Sequence, residues 1–141
     1  MPPLTRLFIK SAFLYFVASL LVGALLLLNG TAPLGLSRWV AALRPTYYHL
    51  LIVGWATQLI FGVIFWMFPK ITREEPRGNE RLAWFSFAAL NAGLLLRLLT
   101  EPWQALTPNP LAAWGLGASA LLQLAAGWAF IWVSWPRVKG K

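Results

Sequence analysis

Residues 8–28, 47–68, 82–99 and 111–135 form four apolar runs, each close to the roughly 20 residues a helix needs to cross a bilayer. In lipid such a segment must satisfy its own backbone hydrogen bonds, so these runs restrict the fold more than any motif does. Short connections make consecutive helices antiparallel neighbours. The expectation is an all-α integral membrane protein, one domain built as an up-down bundle of four transmembrane helices. Composition agrees: 59% of the 141 residues are hydrophobic and 11% charged, outside the range of an ordinary soluble domain. Arg6 and Lys10 at the start of the first run resemble a secretion signal. The run is longer than a signal core and no small-x-small cleavage site follows, so it is read as a retained helix.

Basic residues flank the runs and give an orientation. Arg6, Lys10, Lys70, Arg73, Arg77, Arg81, Arg137, Lys139 and Lys141 fall on one side, and Arg38, Arg44 and Arg97 on the other. Nine against three puts both termini in the cytoplasm of a cell with an inner (plasma) membrane. Tryptophans mark the same slab, with Trp66, Trp84, Trp132 and Trp135 inside and Trp39, Trp103 and Trp114 outside. Residues 34–43, with one apolar face, suit a short helix lying along the outer surface. The net charge of +8 is thereby accounted for by a lipid bilayer as partner, without nucleic acid. Cysteine is absent, which removes disulfides and thiolate chemistry. No phosphate loop, carboxylate pair or Ser/His/Asp set is present, and Glu74, Glu75 and Glu80 belong to a charge-balanced loop.

Polar residues inside the runs need partners. Gln58, Asn91 and Gln123 come to similar depth if the helices alternate, and interhelical hydrogen bonds are their expected role, with a transport path as the alternative. Gly54, Gln58 and Gly62 make a stripe along which another helix can approach closely. His49, the only histidine, stands in the first turns of the second run, and Arg97 near the end of the third, at the same outer depth. Arg97 and Glu101 are spaced for a helical ion pair. Val53 and Ala56 beside His49, Gly93 below Arg97, and the Gly/Ala-rich start of the fourth run suggest room for something flat. One imidazole is a poor zinc or copper site, because those take three or four protein ligands. Haem iron needs only one or two, since the porphyrin supplies four, and Arg97 or Arg44 would pair with its propionates. The other reading of His49 is an interfacial or hydrogen-bonded residue.

The stretch RPTYYHLLIVGWATQLIFGVIFWMFP, residues 44–69, resembles the second helix of the haem–copper oxidase catalytic subunit, the cytochrome c oxidase subunit I superfamily. NAGLLLRLLTEPW, residues 91–103, is similar to short four-helix relatives of that superfamily. The resemblance implies that His49 is an axial ligand of a low-spin haem on the outer side. It covers roughly residues 44–103; the chain has one four-helix arc where the family subunit has three, and the copper-binding histidines, the ligand of the active-site haem and the second low-spin ligand are lacking. Oxygen reduction by one chain is therefore not expected. The expected function is binding of b-type haem through His49 for electron transfer or redox sensing, with a redox protein or quinone as possible partner. The alternatives are a cofactor-free subunit or scaffold and, disfavoured by the lack of acids inside the helices, a transporter. A bis-histidine haem would require a second His49 and hence a homodimer. The three-arc comparison favours a homotrimer.

Overall fold

A computed structural model describes residues 1–31, 37–71 and 76–138. Arg73, Glu74, Glu75, Lys139 and Lys141, used in the charge count above, lie outside these residues, as do residues 34–36. Among the described residues the structure is helical, and four helices are long and apolar enough to cross a membrane: Pro3–Thr31, Arg44–Met67, Glu80–Leu106 and Pro110–Arg137. The elements are α1 (Pro3–Thr31), α2 (Ser37–Ala42), α3 (Arg44–His49), a π-helical segment (Leu50–Thr57), α4 (Gln58–Met67), α5 (Glu80–Leu106), α6 (Pro110–Ser134) and a closing 3-10 turn (Trp135–Arg137). The surface segment expected before Arg44 is found as α2, which buries Val40 and Ala42 and exposes Trp39.

Side chains set the boundaries. Asn79 has an extended backbone and its Oδ1 accepts from the Leu82 amide at 3.1 Å, while Gly78 takes the positive φ of 69° that reverses the chain ahead of it. Asn109 does the same for Leu111 at 2.8 Å, with Pro110 in the first helical position. α4 stops where Phe68 turns extended ahead of Pro69, the conformation a following proline enforces. The buried Arg137 then donates to the Phe68 and Pro69 carbonyls at 2.7 and 3.1 Å. It ties the end of the second long helix to the end of the fourth, with its cation at a helix C-terminus. α5 runs on past the expected limit at Leu99, through Pro102 to Leu106. The polar residues that seemed to end the run are satisfied: Thr100 donates to the Leu96 carbonyl at 2.8 Å, and Glu101 is buried against partners described below.

Glycines allow the close approaches. A Cβ on Gly54 would stand 2.8 Å from Tyr15, and one on Gly62 2.9 Å from Phe8, so α1 lies directly on the second long helix. The Gly54–Gln58–Gly62 stripe, along which a close helix approach is expected, has α1 of the same chain lying against its two glycines. A Cβ on Gly93 would stand 3.0 Å from the Ser119 carbonyl and one on Gly115 2.5 Å from the Thr100 side chain, so α5 and α6 close onto each other there. Along each of these contacts the residue numbers run in opposite directions. The densest core lies at the end of the bundle where the described chain begins and ends. There Phe61 and Phe130 stack at 3.8 Å and Phe8 meets Phe87 edge-on at 5.0 Å. The rest of the outside is apolar, with Leu14 72%, Trp114 79% and Trp132 76% exposed, a surface that water does not suit and lipid does.

Candidate functional site

At the opposite end, His49, Arg97, Glu101, Thr46 and Ser119 form one hydrogen-bonded cluster that joins α3, α5 and α6. The His49 Nδ1 lies 3.0 Å from the Pro45 carbonyl and 3.0 Å from Glu101 Oε1, both acceptors, so Nδ1 carries the proton. Its Nε2 is 2.7 Å from Arg97 Nη1, which can only donate, so Nε2 presents its lone pair. Arg97 also donates to Glu101 Oε1 at 3.4 Å and, through Nε, to Ser119 Oγ at 3.2 Å. Thr46 donates to Glu101 Oε2 at 3.2 Å, and Ser119 donates to the Gly93 carbonyl at 2.7 Å. One guanidinium faces one carboxylate, so the cluster balances its charge where an unpaired ion would be costly. The imidazole remains partly open, its side chain 27% exposed.

His49 and Arg97 are therefore brought together, and the Arg97–Glu101 ion pair is present. Arg44 is not part of this cluster. Its side chain is exposed and lines a separate groove against α1. Of the glycines that suggested room around the site, Gly93 and Gly115 are used to bring α6 onto α5, while Gly117 faces open space. A porphyrin bound by His49 would consequently lie against the outside of the bundle, not between its helices.

The amides divide. Gln58 and Asn91 exchange two hydrogen bonds at 3.3 Å, and Tyr15 donates to Asn91 Oδ1 at 3.0 Å, linking three of the long helices. Gln123 is elsewhere, donating to Ser119 one turn earlier on its own helix at 3.1 Å, and so it supports the His49 cluster from behind. Sequence reasoning missed Thr46, Ser119 and Tyr15. Hydroxyl groups in apolar runs give little signal because they can bond the preceding turn, as Thr57 does here to the Ile52 carbonyl at 2.9 Å. That five-residue bond belongs to the π-helical segment that begins immediately after His49, a conformation common at functional sites.

No protein-family model, curated protein or solved structure matches this chain. Among the described residues no group of three or more His, Cys, Asp or Glu is placed to hold a metal ion.

Proposed function

We propose that the chain is a four-helix, up-down protein of the inner membrane, with both termini in the cytoplasm, that binds b-type haem through His49 and serves electron transfer or redox sensing. The supporting observation is the hydrogen bonding of His49. Its Nδ1–H donates to the Pro45 carbonyl with the Glu101 carboxylate 3.0 Å away, the kind of arrangement that orients metal-bound histidines and raises their basicity, and this leaves Nε2 as the lone-pair nitrogen. Arg97, which donates to that lone pair, is the cation for a propionate once iron replaces it as the partner of Nε2. Haem so held supplies a one-electron couple, and Glu101, Thr46 and Pro45 fix the imidazole. With the glycine spaces inside the bundle filled, haem on the outside of the bundle favours a site shared between copies, and the three-arc comparison favours a trimer of them. The test is the absorption spectrum of the detergent-purified protein. A Soret band with reducible α and β bands, abolished by His49→Ala while the helical circular dichroism persists, is expected. A colourless parent, or equal haem in parent and variant, overturns the reading.

A specific observation favours a second reading, a cofactor-free subunit or scaffold. Both ring nitrogens of His49 already have partners within the chain, the Arg97 contact being short at 2.7 Å. In that case His49→Ala changes no spectrum and lowers stability alone.

A further inference from the structure

Between α1 and α3, at the His49 end, lies a groove of about 490 Å³ that the haem reading does not use. Among the described residues Arg44 is the one charged side chain lining it, with the phenols of Tyr47 and Tyr48 beside it and an apolar wall of α1 from Leu20 to Leu27. Gly23 forms the floor: a Cβ there would stand 3.0 Å from the Tyr47 ring, so the ring packs directly on the helix. The seven residue steps from Leu20 to Leu27 give the wall a length of about 10 Å, running from the bundle end towards mid-bundle. A cation with no ion-pair partner among the described residues, above an apolar channel pointing into the slab, is complementary to an acid carrying a chain.

We infer that this groove seats an anionic phospholipid of the adjacent leaflet, its phosphate on Arg44 and the tyrosine hydroxyls, and an acyl chain along Leu20–Leu27. Guanidinium pairs with phosphate oxygens in two parallel hydrogen bonds, which a zwitterionic headgroup offers against its own repelling ammonium. The site is independent of His49 and of haem.

The test is native mass spectrometry of lipid retained by the whole protein from nanodiscs of phosphatidylcholine containing phosphatidylglycerol. The parent should retain phosphatidylglycerol preferentially. Arg44→Gln, at an exposed position, should reduce that preference about tenfold, the effect of losing one charge-assisted contact. Ala24→Phe, which fills the groove without altering charge, should reduce retention similarly, and Arg38→Gln, at a neighbouring exposed cation, should leave it intact. Undiminished preference in Arg44→Gln overturns the proposal, as does equal loss in Arg38→Gln, which would mean diffuse attraction. An Ala24→Phe protein that keeps its lipid but changes oligomeric state would assign the groove to a second copy instead.

Discussion

Replacing Asn91 by leucine removes the centre of the amide network, and its cost can be worked from the bonds. Asn91 makes three interhelical hydrogen bonds, two with Gln58 at 3.3 Å and one from Tyr15 at 3.0 Å. At the bilayer average of about 0.6 kcal/mol each, Asn91→Leu costs about 2 kcal/mol. Gln58→Leu removes two of the same bonds, about 1 kcal/mol. Because the bonds are shared, the double variant should cost about 2 kcal/mol, not the additive 3, leaving a coupling of about 1 kcal/mol. The burial of Gln58 strengthens the expectation. Its amide is wholly inaccessible, so the single Asn91 variant leaves it without a partner, a penalty that the double variant relieves. Unfolding by dodecyl sulfate in mixed micelles, followed by tryptophan fluorescence and circular dichroism, measures all four free energies. Gln123→Leu is the control and should not couple to Asn91, since its amide bonds Ser119. Additivity between Gln58 and Asn91 within about 0.3 kcal/mol would show that they do not act as a pair, and the packing account would fail.

Glycines on the α6 surface separate packing from propensity. Gly117 and Gly127 have nothing within 4 Å of a built Cβ, so alanine there should be neutral or stabilise by up to about 1 kcal/mol, whereas Gly115→Ala, driven into Thr100, should cost about 1–3 kcal/mol in the same assay. Equal effects at all three positions would refute the α5–α6 contact. Single cysteines at Gly78 and Thr107, introduced into a chain with none of its own, should be labelled by impermeant reagents from the cytoplasmic and the opposite side respectively, and the reverse pattern would invert the orientation. Native mass spectrometry in detergent should give a closed trimer; a monomer, or a dimer carrying one low-spin haem, would refute it.

Length and hydropathy made the four long helices legible, and their ends less so. The third run seemed to stop at Leu99 because Thr100, Glu101 and Pro102 are poor company for lipid. They remain helical because α3 and α6 supply partners that a single-helix reading cannot see: Thr46 for Glu101, and Gly115 as the surface on which Thr100 packs. His49 and Arg97 could be matched from depth alone, since both lie at the same end of neighbouring helices. Arg44, offered beside Arg97 as a propionate partner because it lies near the same boundary, lines a groove of its own, since depth says nothing about which way a helix faces. The glycines misled for a related reason. Small residues on facing helices are compatible either with a cavity or with helices that have closed together, and only the coordinates distinguish the two.

The π-helical segment links the two misjudged features, facing direction and glycine use. Thr46, Leu50, Gly54, Gln58 and Gly62 are all buried and recur every four residues. In an α-helix a four-residue step overshoots a full turn by about 40°, so this line would drift by about 160° from Thr46 to Gly62 and end on nearly the opposite side. With about one more residue in each turn, the segment Leu50–Thr57 makes a four-residue step fall short of a turn, and the drift is cancelled. Thr46 can then reach Glu101 at one end while Gly62 meets Phe8 at the other, with Gln58 held against Asn91 between them. The period was present in the sequence, but read on an α-helix it placed Val53 and Ala56 beside His49 and left Gly54 as part of a separate stripe. The same widening therefore lets one face of this helix pack along its whole length and fixes which residues stand at the edge where His49 is open.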